Sequence, residues 1–208
     1  MAKSPVHIST MSGKLEGFRS ISVNTVTNKF CQKMNASNST ICTFCYSMNM
    51  LKGYRKNTAP ALQRNSDLLS SRLLREDELP VIKDEYFRFD SHGELINMTH
   101  LCNYIAIARH NPDTTFALWT KRKDLIKKLG DSVSAFMAGD DLPENMIFIY
   151  SNPKIDAVMD APPKGFDRVF NNVTDNYKGD ANCTGQKCKD CLLCYKWHTT
   201  DVIVEHVK

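Results

Sequence analysis

Residues 18–46 read FRSISVNTVTNKFCQKMNASNSTICTFCY, and this stretch decides both the fold class and the first candidate site. Residues 18–24 alternate apolar and polar side chains, which predicts a β-strand. The strand leads directly into a loop that carries Cys31, Cys42 and Cys45. A strand followed by a metal-binding loop is typical of sites at the carboxyl end of a parallel sheet. The stretch therefore predicts an α/β protein with its site at that edge.

The spacing of the three cysteines indicates a metal site with one ligand position to spare. Cys42 and Cys45 form a C-x2-C pair, which can place two thiolates on one centre, and Cys31 adds a third thiolate through a polar loop. A structural zinc site normally has four protein ligands. A four-iron cluster held by three thiolates leaves one iron open to a ligand that is not a cysteine. We therefore predict that Cys31, Cys42 and Cys45 share one centre, with a [4Fe-4S] cluster as the cofactor.

Length and composition describe one ordinary globular domain, or one domain with a small appendage. The chain has 208 residues, 42% of them hydrophobic and 24% charged, which excludes a disordered or membrane-embedded chain. No apolar run approaches the ~20 residues of a membrane helix, and residues 1–10 lack the apolar core of a secretory signal. We therefore expect a cytoplasmic protein with no membrane partner. Thiols stay reduced in that compartment, so we interpret the eight cysteines as metal ligands in preference to disulfides. The net charge of +4 permits an anionic partner such as nucleic acid without demanding one.

Strand and helix patterns alternate along the chain. Short alternating or continuous apolar runs predict strands, and apolar positions at helical spacing predict helices between them. The predicted strands are residues 18–24, 85–89, 115–120, 145–150, 166–171 and 202–207. The predicted helices are residues 51–54, 61–74, 98–109 (with Asn97 or Thr99 as the N-cap) and 123–129, the last ended by Gly130.

This alternation predicts an α/β fold with a mostly parallel sheet. Five or six strand–helix units are too few for an eight-fold barrel. We therefore expect a partial or open (β/α)5-6 barrel with a C-terminal cysteine-rich metal-binding segment. Residues 1–177 would form the partial barrel with the first iron–sulfur site. Residues 178–208 would form the cysteine-rich segment, with a second metal site and a candidate final strand.

A second group of cysteines lies near the end of the chain, at Cys183, Cys188, Cys191 and Cys194. Residues 178–190 offer almost no apolar side chains to fold around, so a bound metal would have to supply the order. The spacing resembles ferredoxin-type ligation without matching it, and four thiolates also close a tetrahedral zinc site. We predict a separate, fully ligated structural centre, with an iron–sulfur cluster favoured and zinc as the alternative. The remaining cysteine, Cys102, lies on the apolar side of a predicted helix and is interpreted as a core residue.

The thiolate trio after the first strand, the aromatic Phe44 before Cys45 and the following α/β array together resemble the radical S-adenosylmethionine superfamily. In that superfamily, cysteines spaced C-x3-C-x-aromatic-C hold a four-iron cluster on a partial barrel, and the open iron binds the amino and carboxylate groups of S-adenosylmethionine. Residues 42–45, CTFC, match the second half of that motif, whereas ten residues separate Cys31 from Cys42 where the superfamily has three. Longer loops close at a small extra entropic cost, so Cys31 can still reach the cluster.

This resemblance implies a set of cofactor-binding residues and assigns no catalytic residue. Phe44 would pack over the cluster. The other residues follow the carboxyl ends of predicted strands and are Ser91, His92, Gly93, Glu94, Thr120, Ser151 and Asn171. Residues 91–94 stand in place of the superfamily's glycine-glycine-glutamate turn, which meets the amino group of the cofactor. Thr120, Ser151 and Asn171 would face its ribose and adenine. Each of these positions equally fits an ordinary polar turn.

The chain as a whole is similar to a small group of bacteriophage proteins designated by a gene-product number. The shared features are the early cysteine trio, the late cysteine group, the FRF strand at residues 87–89 with its Ser/Gly/Glu turn, and the aromatic-Thr-Lys strand end at residues 119–121. This resemblance covers nearly the whole chain, implies the host-cell cytoplasm as the location, and implies no particular reaction.

Three functions follow from these patterns. The first is an enzyme that cleaves S-adenosylmethionine at the open iron, with an unidentified substrate and an electron donor as further partners. The second is a non-catalytic iron–sulfur protein that acts in binding or redox sensing on the same barrel. The third is a zinc-stabilised module that binds nucleic acid through basic residues such as Arg55, Lys56 and Lys121. We place the enzyme first.

Overall fold

The computed structural model describes residues 4–136 and 142–207, which are organised around one seven-stranded sheet. The strands are β1 (Ser9–Thr10), β2 (Arg19–Ile21), β3 (Tyr86–Phe89), β4 (Thr115–Thr120), β5 (Met146–Ile155), β6 (Arg168–Val173) and β7 (Val202–His206). They occur in the sheet in their order along the chain. β1 is antiparallel to β2, and every later neighbouring pair is parallel. The predicted α/β fold with a mostly parallel sheet is confirmed.

Helices connect the strands and also carry the cysteines. They are α1 (Lys29–Asn35), α2 (Tyr46–Lys52), α3 (Ala59–Ser71), α4 (Met98–His110), α5 (Lys123–Phe136) and α6 (Cys188–Cys191). Short 3-10 turns lie at Gly13–Leu15, Ile41–Phe44, Lys56–Thr58 and Glu76–Glu78. Among the described residues, no helix combines the length and the apolar character that crossing a membrane requires.

The main core lies between one face of the sheet and the three long helices. Parallel crossovers are right-handed, and the strand order never reverses, so α3, α4 and α5 all lie on the same side. Leu69 of α3, Tyr104 of α4 and Ile126 of α5 belong to one buried cluster with Phe89 and Phe148 from the strands. The carboxyl ends of β2 to β6 are therefore supported from one side by a continuous apolar layer.

The opposite face of the sheet is covered by the cysteine-rich segment. Tyr195 packs against Phe18 with ring centroids 4.4 Å apart, and its ring lies 5.5 Å from Trp119. Ile147 and Ile149 of β5 belong to the same buried cluster. β7 follows this segment and pairs with β6 in parallel, so the connection between these two strands crosses the face opposite to α3, α4 and α5.

Local causes explain where the sequence prediction and the structure differ. β4 agrees with the prediction residue for residue. α5 does not end at Gly130 but continues to Phe136, and that predicted end is wrong, because a helix tolerates an interior glycine at a cost of about 1 kcal/mol. α1 occupies part of the predicted cysteine loop, where the Asn28 side chain caps its first turn. β1 was not predicted, since a strand of two residues has no readable periodicity.

The turn after β3 is held tightly against the chain that follows β2. The N–H of Asp90 donates to the carbonyl of Ile21 at 2.9 Å, and the N–H of Val23 donates to the carbonyl of His92 at 3.2 Å. Gly93 has a φ of +85°, and an added Cβ would lie 2.4 Å from Val23 Cγ2 and 2.6 Å from the Val23 carbonyl oxygen. Both the dihedral angle and the close approach require glycine at this position.

We expect Gly93→Ala to lower the free energy of unfolding by about 2 kcal/mol, because the new methyl group meets backbone atoms and the dihedral angle is strained. The matched control is Gly130→Ala in α5, where an added Cβ meets nothing within 4 Å. That variant should gain about 0.5–1 kcal/mol from the higher helix propensity of alanine. Urea unfolding monitored by circular dichroism measures both, and equal stability of the two variants would contradict the tight turn.

Candidate functional site

The cysteine trio lies at the carboxyl edge of the sheet, on α1, on the 3-10 turn Ile41–Phe44 and at the start of α2. Asn28 positions the first cysteine: its Oδ1 accepts hydrogen bonds from the N–H groups of Phe30 and Cys31, at 3.0 and 3.2 Å. Its amide group also donates to the carbonyl of Glu94 at 2.7 Å. One asparagine thus fixes Cys31 relative to the turn that follows β3.

The C-x2-C pair lies on one tight turn that is tied to α1. The N–H of Cys45 donates to the carbonyl of Cys42 at 3.2 Å, and the Asn35 side chain donates to the same carbonyl at 2.7 Å. The turn also contacts β5. Phe44, predicted to pack over a cluster, is 77% exposed. The pair is therefore anchored through the backbone, while the aromatic ring between its cysteines faces outward.

A second set of hydrogen bonds joins α2 to the turn after β3. The Tyr46 hydroxyl donates to the carbonyl of Ser91 at 2.8 Å. Ser47 Oγ lies 2.7 Å from Nδ1 of His92 and 2.6 Å from the Thr25 hydroxyl. The elements that carry the cysteines and the predicted cofactor turn therefore form one connected unit.

Two thiols of the trio, those of Cys31 and Cys42, share electrostatic neighbours. Burial, with the negative charges of Glu94 and Cys45, raises the pKa of the Cys31 thiol, and the Lys121 ammonium opposes this rise. Burial also raises the pKa of Cys42, again against the effect of Lys121. Cys31 and Cys42 thus share Lys121 as the cation that favours their ionised thiolates.

All eight cysteines lie within the described residues, and all are free thiols. In residues 4–136 and 142–207, no three His, Cys, Asp or Glu side chains converge closely enough to hold one metal ion. By the chemistry of their thiol groups alone, Cys31, Cys42 and Cys45 are the residues that would hold a cluster at this edge.

Ser91 and His92, two of the predicted cofactor residues, are buried and hydrogen-bonded within the protein. Ser91 Oγ lies 2.9 Å from Ser20 Oγ and 2.8 Å from Ser22 Oγ. Burial lowers the pKa of His92 to about 4, so its imidazole is neutral at pH 7. Both side chains brace the turn on which they lie.

The carboxylate of Glu94 is also turned into the protein. The Thr120 hydroxyl and the N–H of Leu95 donate to Oε1, and the N–H of Lys121 donates to Oε2 at 2.8 Å. Burial raises the pKa of Glu94, against the effect of the Lys121 charge and of these hydrogen bonds. Glu94 therefore joins the turn after β3 to the end of β4.

The remaining predicted residues continue this polar layer across the carboxyl edge. Lys121 Nζ donates to Ser151 Oγ at 2.9 Å. The Asn152 amide donates to Asn171 Oδ1 at 2.9 Å, and the Asn171 amide donates to the carbonyl of Met159 at 3.0 Å. The structure thus brings the predicted residues together at one edge, where their polar atoms bond to neighbouring protein groups.

One buried acid in this layer was not predicted. Asp90 directly follows β3 with a φ of 52°, and its Oδ1 accepts a hydrogen bond from the Tyr104 hydroxyl at 2.8 Å. Its Oδ2 is buried and has no hydrogen-bond partner among the described residues. Burial and the charge of Glu94 raise the pKa of Asp90 well above its usual value. An aspartate at the carboxyl end of a parallel strand is the sequence signal that marks this position.

The late cysteines line one small cavity with a volume of about 20 Å³. The residues around it include Cys183, Cys188, Cys191, Cys194 and Lys14. Lys14 Nζ donates to Cys183 Sγ at 3.0 Å and forms an ion pair with Glu205. A space of this size holds about one water-sized occupant. The four thiols line it, but among the described residues they do not converge closely enough to ligate one ion.

Two arginines lie beside this cavity: Arg168 is buried and Arg88 is half-buried. The Arg88 guanidinium lies over Trp119, 3.9 Å from the ring centroid, and its Nε has no hydrogen-bond partner among the described residues. Arg168 donates to the carbonyls of Leu193 and Lys196. Within the described part of the chain, neither arginine forms an ion pair with Asp or Glu.

These arginines act electrostatically on the thiols. Burial raises the pKa of Cys188 and raises that of Cys194 to about 12. The positive charge of Arg88 acts in the opposite direction on both thiols, and that of Arg168 does so on Cys194. The environment of the late cysteines therefore combines desolvation, which favours the neutral thiols, with positive charge, which favours thiolates.

A family model described as Gene product 88 matches residues 8–199, a region that contains both cysteine groups and the polar layer. The predicted similarity to proteins designated by a gene-product number is confirmed. A search of curated proteins and a search of solved structures found no match. None of the three comparisons supports the resemblance to the radical S-adenosylmethionine superfamily.

We expect Asp90→Asn to raise stability at alkaline pH. Because its pKa is raised, the folded-state carboxyl keeps its proton above pH 3.8, where the unfolded chain has lost it. Wild-type stability therefore falls as the pH rises through the folded-state pKa. The amide does not titrate and can still accept from Tyr104, so the variant should lack this fall and be more stable than the wild type at pH 8. Urea unfolding at pH 5 and pH 8 measures the difference.

The control is Glu94→Gln. Each Glu94 oxygen accepts from an N–H or O–H group, so a glutamine NH2 would face a donor and cost about 1–3 kcal/mol. Because burial also raises the pKa of Glu94, part of this cost should be offset at pH 8 relative to pH 5. The proposed difference is that Glu94 stabilises the fold through its hydrogen bonds, whereas Asp90 costs stability when it ionises. A Glu94→Gln variant that is more stable than the wild type, or an Asp90→Asn variant that is less stable at pH 8, would refute it.

Proposed function

The chain belongs to the gene product 88 family, and we propose that it is an iron–sulfur enzyme that uses S-adenosylmethionine. In this proposal Cys31, Cys42 and Cys45 hold a four-iron cluster, whose open iron takes the amino and carboxylate groups of the cofactor. The observation that carries the proposal is the position of all three thiols at the carboxyl edge of a sequentially wound parallel sheet. Sheets of this kind bind their ligands at that edge.

The winding supports a partial barrel as the finer description of the fold. β2 to β7 follow one another without a reversal, and α3, α4 and α5 pack on one face. In (β/α) barrels the helices lie outside, and the other face of the strands lines the interior. In this chain, Trp119, Ile149 and Tyr195 would occupy that interior.

The cluster would supply an electron to split a carbon–sulfur bond of S-adenosylmethionine. The residues of the chain would hold and orient the reactants. Lys121 stands beside the trio and is fixed by Ser151, so its ammonium would stabilise thiolate charge and attract the cofactor carboxylate. Glu94 holds the backbone of Lys121 in place. Lys121 is accordingly the side chain that we assign to cofactor positioning.

A non-catalytic iron–sulfur protein is the second candidate, and the buried turn after β3 favours it. Ser91, His92 and Glu94 already bond to protein groups, so their polar atoms are engaged before a ligand arrives. A cluster on the trio would then respond to oxidants or to a partner without cleaving S-adenosylmethionine. The two candidates differ in whether that cofactor perturbs the cluster.

We also propose that the four late cysteines hold one thiophilic ion, zinc in preference to a cluster, as a structural centre. The cavity that they line has a volume of only about 20 Å³, which suits a single ion better than a cluster. The thiols do not converge on one point among the described residues, so ion binding would have to draw them closer together. Four thiolates with one divalent ion carry a net charge of about −2. Arg88 and Arg168 would balance that charge. Among the described residues neither guanidinium group forms a close ion pair with Asp or Glu, although Asp167 and Asp201 act on Arg168 from a greater distance.

Protein purified without oxygen should be brown and contain about four iron and four sulfide per chain. Cys31→Ser, Cys42→Ser and Cys45→Ser should each lose the cluster absorbance, because each removes one of its three ligands. Cys102→Ser is the matched control, since Cys102 lies in α4 outside both cysteine groups. Absorbance together with iron and sulfide analysis measures the result. A colourless wild-type protein, or unchanged iron in Cys31→Ser, would sink the cluster proposal.

Addition of S-adenosylmethionine to the reduced protein separates the two candidates. The enzyme should show a changed electron paramagnetic resonance signal and release 5′-deoxyadenosine, and Lys121→Met should weaken both effects. An unchanged signal from a protein that retains its cluster excludes the enzyme and leaves the non-catalytic function.

For the late cysteines we expect Cys191→Ser to lose about one zinc per chain and to lower the melting temperature by more than ~5 °C, because metal binding contributes to folding. The absorbance of the trio should remain. Arg88→Met should weaken zinc retention against a chelator, since it removes a counter-charge. Elemental analysis and thermal unfolding measure these effects. Unchanged zinc content and melting temperature in Cys191→Ser would show that the four thiols are not a structural centre.

A further inference from the structure

The charge of the chain is distributed very unevenly along the sequence. Residues 17–66 contain seven Lys or Arg residues and no Asp or Glu, whereas the whole chain has a net charge of only +4. The rest of the chain is therefore net negative. Residues 17–66 include α1, α2 and the cysteine trio, so the positive charge is concentrated around the carboxyl-edge site.

Four of these cations are exposed lysines on or beside the elements that carry the trio. They are Lys29, Lys33, Lys52 and Lys56. None of them forms an ion pair among residues 4–136 and 142–207. Because neighbouring carboxylates do not neutralise them, their field is available to an anionic partner.

Three aromatic side chains are exposed on the same segment. Phe44 and Tyr46 flank the start of α2 and are 77% and 58% exposed, and Tyr54, two residues after its end, is 79% exposed. The Arg55 guanidinium lies 5.9 Å from the centroid of the Tyr54 ring. α2 has seven residues and is therefore about 10 Å long, so the rings at its two ends are far enough apart to contact different groups of one extended ligand.

We propose that this surface, formed by Phe44, Tyr46, Lys52, Tyr54 and Lys56, binds single-stranded nucleic acid. Exposed rings between cations match that ligand, because unpaired bases stack on aromatic faces while Lys and Arg neutralise the phosphates. Duplex nucleic acid keeps its bases stacked on one another and would leave the rings unused. An acidic protein would account for the lysines but not for three exposed rings. The proposal does not depend on the cluster or on S-adenosylmethionine.

Fluorescence anisotropy with the full chain tests the surface. The probes are a labelled oligothymidylate of about 20 nucleotides and a duplex of the same length, at about 50 and 200 mM salt. The single strand should bind at least ~10-fold more tightly than the duplex, and added salt should weaken binding. Tyr54→Ala should weaken binding by at least ~5-fold, since stacking contributes about 1–3 kcal/mol per base. Lys52→Gln combined with Lys56→Gln should reduce the salt dependence.

Matched controls come from exposed residues elsewhere on the chain. Leu73→Ala removes an exposed apolar side chain, and Lys83→Gln removes an exposed cation, so both should bind the oligonucleotide as the wild type does. Normal binding by Tyr54→Ala, equal affinity for duplex, or no binding to either probe would each overturn the proposal. Polyglutamate that competes as strongly as the oligonucleotide would also overturn it, because the surface would then recognise acidic protein by charge alone.

Discussion

The buried carboxylate of Glu94 is the group on which the carboxyl edge depends. Its oxygens accept hydrogen bonds from the end of β4, and its own carbonyl accepts one from Asn28 at the start of α1. A carboxylate can be buried only where its oxygens are hydrogen-bonded, so β4 and α1 cannot shift independently. The positions of the cysteines follow from this constraint, because Asn28 also caps the helix that carries Cys31.

The sheet is the part of the fold that could be predicted from the sequence. The apolar run at residues 145–150 and the pattern at 115–120 are local signals, and both strands lie where those signals occur. α1 has no comparable signal, since its seven residues include lysines, an asparagine and a glutamine. Its stability comes from the Asn28 cap and from contacts with distant residues, which no window of sequence contains.

The location of the candidate site was predictable, but the bonding of its residues was not. Topology places the carboxyl ends of parallel strands at one edge, and the predicted polar residues do lie there. The hydrogen bonds that bury Ser91 join it to Ser20 and Ser22, about seventy positions earlier in the chain. Likewise, nothing near Cys188 in the sequence indicates that Arg88 lies beside it. Such pairings depend on the folded sheet and are not encoded in any local motif.

The sheet is able to assemble in the direction of protein synthesis. Each strand from β3 to β7 pairs with the strand made just before it, so none has to insert between two earlier strands or wait for a later one. From β3 onward, neighbouring strands are also close in sequence, which keeps the entropic cost of each of these pairings low, whereas β2 and β3 are separated by the long segment that carries α1, α2 and α3. The cysteine-rich segment joins near the end, when the face that it covers is already formed. A ribosome-bound chain can therefore hold an ordered carboxyl edge, with its first three cysteines in place, before the last four have been translated.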